Sequence, residues 1–330
     1  MYKFVIRRVL LMIPTMILIS FVAFAIIQLP PGDFLTTYAA NLAQTGTQVS
    51  ESTLANLRET YGLGQPIYVQ YWKWITGMFR GDFGFSFEWQ RPVSELIGDR
   101  LVLTLIIALM AMFLTWLIAI PIGILSAVKQ YSIGDYIATF LGFLGVAVPD
   151  FLLALVLMSG AVLLFNQSVV GLFSTEYIEA PWSVARVIDM LKHIWIPLII
   201  LGLSQTAVNI RILRANLLDE LYKPYVTTAR AKGLDERSVL MRYPVRTALN
   251  PFVSLAGWRL PDLISSLVIV SVVLGIPTTG PLLLGALKSQ DMYLAGALIL
   301  FLSMLTVIGT LVSDLMLAWL DPRIRLQQYS

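Results

Sequence analysis

The sequence predicts an all-α polytopic membrane protein: six transmembrane helices, with the N and C termini cytoplasmic. Three observations predict it. Hydrophobic residues make up 57% of the 330 and charged residues only 13%, against about 45–50% and 25% in soluble domains. Apolar runs of about 20 residues or more, long enough to cross a bilayer, recur along the chain. Among the short connections, those placed inside hold most of the Lys and Arg, as the retention of cationic loops in the cytoplasm requires.

The first span runs from about Val9 to Leu29, with Pro14 near its start. Lys3, Arg7 and Arg8 precede it and hold the N-terminus inside. This charge-then-apolar order imitates a signal peptide, but the run is long enough to span and no small-residue cleavage site closes it, so it reads as an uncleaved helix. Residues 30–100 form an extracytoplasmic insert. It opens with a Pro30-Pro31-Gly32 turn, and Leu54, Leu57 and Tyr61 suggest a short amphipathic helix ended by Gly62 and Gly64. Pro66 starts another, with Ile67, Tyr71, Trp74, Ile75 and Met78 at helical spacing and Tyr68, Trp72 and Phe79 suited to the headgroup level. Arg80 to Ser86, followed by Arg91-Pro92-Val93, reads as a Gly-containing turn between interfacial helices.

The second span, about Leu101 to Val128, is free of charge and ends near Lys129. Asp135 begins the third, which runs to about Phe165 and is broken by Pro149. Asp150 then falls near mid-depth, where a carboxylate costs a few kcal/mol unless it faces protein or water. It either satisfies backbone N–H groups freed after Pro149 or lines a translocation path. Residues 166–192 make a short outside loop with Glu176, Glu179, Pro181 and Trp182. His193, the lone histidine, reads as an interfacial residue, because an imidazole metal site needs several ligands.

The fourth span, about Ile194 to Leu213, carries Gln205 and Asn209 on one face, amides that either line a pore or join helices by hydrogen bonds. The fifth covers about Phe252 to Ile276, with Arg259, Pro261 and Asp262 near its cytoplasmic end. An outside turn from Ile276 to Pro281 and the charges Lys288 and Asp291 lead to the sixth, about Tyr293 to Leu320. Arg323 and Arg325 agree with an inside C-terminus. The chain thus divides into a first helix (1–29), the insert (30–100), a five-helix core (101–321) with a cytoplasmic loop at 214–251, and a cytoplasmic tail (322–330).

The stretch from Arg211 to Pro251 is the long polar interval between two apolar segments. Its eight Lys/Arg against four acids leave a local charge of +4, while the whole chain carries +3. Tyr225, Thr228, Ala229 and Lys232 share one face of a short helix, with Pro224 in its first turn and Gly233 at its end. Asp235 can cap a second helix bearing Val239, Leu240 and Tyr243. Small residues at 227, 228, 229, 231 and 233 permit close approach of another surface, and the cations Arg230 and Lys232 add steering. The plainer reading is a solvated loop, basic only because of topology.

YVTTARAKGL, at 225–234, resembles the cytoplasmic coupling motif of ABC-transporter permeases of the dipeptide/oligopeptide/nickel import type. RGDFGFS at 80–86 resembles a second signature of that family, and with the N-terminal span and the closing DPRIR the likeness covers nearly the whole chain. The resemblance implies a type I ABC importer permease architecture, with the helix around 225–233 inserted into a groove on an ATP-hydrolysing subunit. Ala229, Ala231 and Gly233 would lie nearest that partner, flanked by Tyr225, Thr228, Arg230 and Lys232. It implies an outer-face dock for a substrate-delivering binding protein at Asp82, Gly84 and Ser86, and a path for which Asp150, Gln205, Asn209 and Ser271 are candidates. The implied partners are two Walker-motif ATP-binding subunits, a second homologous permease completing a heterodimeric pore, an extracytoplasmic substrate-binding protein and the bilayer of a prokaryotic inner membrane. The chain departs from the family where an acid in the fifth span is common: it has Ser271, followed by Pro277-Thr278-Thr279-Gly280. Di- and oligopeptides are the expected cargo, with oligosaccharides or nickel chelates as alternatives.

The chain has no G-x-x-x-x-G-K-[ST] phosphate cradle, dinucleotide fingerprint, H-E-x-x-H or G-x-S-x-G. It is therefore expected to be no enzyme and to bind no cofactor or metal, with ATP and Mg held by partner subunits. The absence of cysteine excludes disulfides and thiolate metal sites. Nucleic-acid binding is disfavoured because the basic stretch is a juxtamembrane loop poor in stacking aromatics. A distant alternative, an autonomous ion-coupled transporter, calls for an inverted repeat and several buried charges, which the sequence does not display.

Overall fold

The computed structural model describes residues 2–28, 65–86, 88–165, 171–178 and 180–320. Pro30-Pro31-Gly32, the Leu54–Tyr61 amphipathic segment, Glu179 and the 322–330 tail lie outside them. Among the described residues four helices are long and apolar enough to cross a membrane, or up to six spans if each of two bent helix pairs is one span. The chain falls into two compact units: Ile6–Thr104 with Pro277–Val307, and Leu105–Ile276 with Met1–Val5 and Ile308–Ser330.

In the first of these units, α1 (Tyr2–Gln28) shows an apolar outer face of Leu10, Leu11, Ile17, Leu18 and Phe21 and buries Ser20, Ala23 and Phe24. Its inner face meets α2 (Ile67–Phe79), whose helical spacing was legible from Pro66 onward. The Ser20 and Tyr71 hydroxyls bond at 2.8 Å, and the Phe24 ring packs on Tyr71 and Trp74. Tyr68, Trp72 and Phe79 face outward, as amphipathic aromatics at a headgroup boundary do. A short ladder of β1 (Phe85–Ser86) and β2 (Arg91–Pro92) pairs Phe85 with Pro92 and Ser86 with Arg91.

The ladder feeds α3 (Val93–Val128), which starts eight residues before the expected span. At about 54 Å, it exceeds the roughly 30 Å hydrocarbon layer, and its first turns carry Glu95, Asp99 and Arg100. An apolar run reports only the lipid-crossing part of such a helix. Val93 and Ile97 pack with Leu282, Ala286, Leu294 and Leu298, from α11 (Thr279–Lys288) and α12 (Met292–Leu320). The expected 276–281 turn is therefore short, because Thr278 caps a helix by accepting the Gly280 N–H.

In the other unit the third span is broken at Pro149, as the sequence indicates. α4 (Ile133–Ala147) and α5 (Asp150–Phe165) meet at 101°. Pro149 supplies no N–H and forces Val148 into extended backbone, so the helix cannot pass through it. Ser132 is the N-cap of α4, accepting the Asp135 N–H. The expected 166–192 loop instead contains a 3₁₀ turn (Thr175–Tyr177) and α6 (Val184–His193), capped by Ser183.

α7 (Trp195–Leu221) continues eight residues beyond Leu213, and α10 (Pro244–Leu274) starts eight residues before Phe252. Both extensions are amphipathic rather than apolar, with Leu213, Leu217, Val245, Ala248 and Phe252 in one buried cluster. The polar interval is accordingly shorter than 214–251. Only residues 222–243 lie between these long helices, occupied by α8 (Pro224–Ala231) and α9 (Glu236–Arg242).

Candidate coupling site and transport path

Lys223 is extended and Pro224 opens α8, where its missing N–H costs nothing. Val226 and Ala229 turn inward onto Val239 and Tyr243, forming a small core of the loop's own. Tyr225, Thr228, Arg230, Ala231, Lys232 and Gly233 remain exposed. Ala229, expected among the residues nearest a partner, is instead buried. The short helix needs an inward face to hold it to α9, and residues 226, 229 and 239 provide it.

Gly233 has φ +73° and ends the helix in the left-handed region. No atom lies within 4 Å of where its Cβ would stand, so its constraint is conformational, with open space beside it. Asp235 accepts the Ser238 N–H and caps α9. Arg230 forks onto Glu236, Nε to Oε2 at 3.0 Å and Nη2 to Oε1 at 2.7 Å. That bond holds the Glu236 carboxyl below the usual range and raises Arg230. Tyr225 donates to Glu220 at the end of α7; burial and this bond push its phenol up.

Further along α7, Arg214 is the residue that sequence reading counted only as loop charge. It grips Asp135 of α4 with both arms, Nε to Oδ1 at 2.8 Å and Nη2 to Oδ2 at 2.9 Å. Asp135 is buried and also accepts from the Ser126 hydroxyl and the Tyr131 N–H. The loop is therefore tied through α7 to the α3–α4 turn.

Of the path candidates, Asp150 sits at the first turn of α5 and accepts from the Ser204 hydroxyl of α7 at 3.2 Å. Gln205 accepts from Arg259 of α10, which makes it a helix-joining amide. Asn209 is buried. Ser271 is fully buried and returns its hydroxyl to the Val268 carbonyl at 3.0 Å, so it is not presented to a passing solute. The sequence placed Arg259 near the end of a span. Because α10 begins at Pro244, it lies mid-helix and half-buried, a position where an ionisable group is a functional candidate. The charges Arg259 and Asp262 within an otherwise apolar run were the available signal.

In the other unit, Asp82 is exposed and accepts the Gly84 N–H at 3.0 Å. Gly84 has φ +80°, and a Cβ there would stand 2.3 Å from the Tyr293 ring. Ser86 is fully buried; it donates to Asp291 Oδ2 at 2.6 Å and accepts the Trp89 N–H. Asp291 in turn accepts the Leu294 N–H in the first turn of α12. The expected dock at Asp82, Gly84 and Ser86 is corrected on this point: Ser86 is an internal tie and Gly84 a close-approach site, and only Asp82 is offered outward. His193 Nδ1 lies 2.8 Å from the Asp189 carbonyl. Among the described residues no three His, Cys, Asp or Glu gather as metal ligands.

The family described as binding-protein-dependent transport system inner membrane component matches residues 119–326, and its N-terminal companion matches residues 1–108. The chain is 36% identical to the oligopeptide transport system permease protein AppB of Bacillus subtilis (strain 168), over 98% of this chain and 99% of that protein. It is 30% identical, over the same shares, to the glutathione transport system permease protein GsiC of Salmonella paratyphi A. Two family matches that together take in nearly every residue, on a chain of several membrane-crossing helices, leave one assignment: the chain belongs to the inner membrane components of binding-protein-dependent transport systems, and is a multi-pass ABC-transporter permease.

Proposed function

We propose that the chain is one pore-forming subunit of an ATP-driven, binding-protein-dependent importer of di- and oligopeptides, with six spans and both termini in the cytoplasm. The observation that carries this reading is the 222–243 loop. It exposes a row of small and cationic residues on a short helix, yet is braced from behind by its own core, by the Arg230–Glu236 fork and by Tyr225 on α7. A loop that only marks topology has no need of such bracing. A surface that must pass force from a separate ATPase does.

In this mechanism closure of two nucleotide-binding subunits pushes α8 as a rigid body, and the push reaches α7 and α10, which flank the loop. ATP and Mg reside on those subunits, since this chain has no phosphate cradle. Only states that differ in their subunit contacts can be driven in this way. A second, homologous permease completes the pore, and an outer binding protein delivers cargo. Peptide cargo is supported by relatives named for oligopeptide and glutathione transport. Ser271 does not argue for a sugar, because its hydroxyl is engaged within its own helix.

The test is gentle detergent purification of the tagged native protein, with mass spectrometry of co-purifying chains and an ATPase assay. Walker-motif subunits, a second permease and ATPase activity are expected. An ATPase-free homo-oligomer that still transports after reconstitution would overturn the proposal in favour of an autonomous transporter.

A further inference from the structure

α6 is amphipathic the wrong way round for a water-facing loop. Two of its polar groups, Asp189 and Arg186, turn toward the protein, while Lys192 stays exposed: Asp189 is buried and accepts the Ser174 hydroxyl at 2.6 Å and the Ser174 N–H at 2.7 Å. Arg186 lies over the rings of Phe173 and Trp182 at 4.7 and 4.6 Å and donates to the carbonyls of Ile178 and Ala180. Apart from the buried Met190, its large apolar groups point out. Val184 (78% exposed), Val187, Ile188 (50%) and Leu191 (50%) follow one another at i, i+3, i+4 and i+7, a single unbroken stripe.

Two features say what covers that stripe. Just past the Ile194 junction it is followed by Trp195 (55% exposed), Ile199 and Leu203 on α7, an exposed apolar face of a helix long and apolar enough to cross the membrane. It is also flanked at both ends by exposed tryptophans, Trp182 and Trp195, the side chain that prefers the boundary between acyl chains and headgroups. The charges Arg186, Asp189 and Lys192 prevent burial of the whole helix in hydrocarbon, while the stripe makes full hydration costly.

We infer that α6 lies in the bilayer–water interface at the end of α7 remote from the 222–243 loop, with the Val184–Leu191 stripe in the acyl region. The ligand of this surface is the phospholipid layer itself. This interfacial helix also holds a strand of chain against α10. Ser174, fixed by Asp189, follows the buried Leu172 and Phe173, and the Gly171 N–H donates to the Leu274 carbonyl at 2.8 Å. Position in the lipid is thereby linked to the last turn of α10, just before Gly275 ends it in the left-handed region.

The chain has no cysteine, so single nitroxide labels can be placed at Ile188→Cys, Val184→Cys and Lys192→Cys in the reconstituted full complex. Collisions with oxygen, which partitions into acyl chains, and with a water-soluble nickel chelate report the surroundings of each. Labels at 184 and 188 are expected to meet oxygen several-fold more than nickel, with the ratio reversed at 192. Equal nickel access at 188 and 192 would place the helix in water and overturn the inference. Labels at 184 and 188 immobile and shielded from both reagents would overturn it too, by assigning the stripe to a protein partner such as the second permease.

Discussion

Gly233 illustrates how much one backbone angle can carry. Its φ of +73° is the one feature of the loop that no other residue type supplies cheaply, and it sets the direction in which the chain leaves α8 for the Asp235 cap. Since a Cβ there meets no neighbour within the chain, a substitution acts by distorting the turn, at about 1–2 kcal/mol, and by obstructing whatever docks outside. Gly233→Val should therefore cut substrate uptake by about tenfold or more, the factor that about 1.4 kcal/mol carries, with the protein still present in the membrane. Undiminished uptake in vesicles with normal protein levels would remove the coupling role. Gly233 was readable because its requirement is local. Ser86 was not: its partner Asp291 lies 205 positions away, and no local pattern reveals that a serine in a glycine-rich turn faces inward. Gln205 was ambiguous for the same reason, its partner Arg259 being 54 positions distant.

Among the elements, those whose ends are marked by local chemistry matched their expected limits closely. α2 follows Pro66, α8 follows Lys223 and stops before Gly233, and α9 follows Asp235. Elements that outrun their apolar core, α3, α7 and α10, were each underestimated by two turns, because hydropathy detects the lipid-crossing portion alone. α6 was missed because its stripe is too short to register as a span and its charges resemble a loop. The Arg214–Asp135 pair belongs to this scale, since it holds the extended end of α7 against the start of α4. Asp135 is buried but Arg214 is a quarter exposed, so losing one member costs less than the ~3–5 kcal/mol of a fully buried pair, whereas replacing both with apolar groups is often neutral. Asp135→Asn should thus lower the thermal midpoint of the purified complex, and Asp135→Leu with Arg214→Met should recover most of it. A double variant as unstable as the sum of its single changes would show that the two side chains act independently.

For the whole molecule, the family matches over nearly all residues make the chain an inner membrane component of a binding-protein-dependent transport system. The cargo is where the sequence was least informative, since no local pattern along the chain marks a solute-binding surface. If peptides are the cargo, accumulation of a labelled tripeptide by cells carrying the complete system should be suppressed by excess unlabelled di- and tripeptides and left unchanged by a linear trisaccharide. The opposite pattern of competition would move the assignment to oligosaccharides. α7 adds a mechanical consequence of its own. It is one uninterrupted rod of about 40 Å, joined through Ile194 to the lipid-seated α6 at one end and to the loop at the other. With the first end moored in the interface, a tilt of about 5° sweeps the other through roughly 3.5 Å, given that length. If a separate ATPase pushes on the loop as proposed, its stroke is set by how firmly lipid holds the opposite end, so a thinner or more fluid bilayer should slacken the gearing without touching a single residue of the loop.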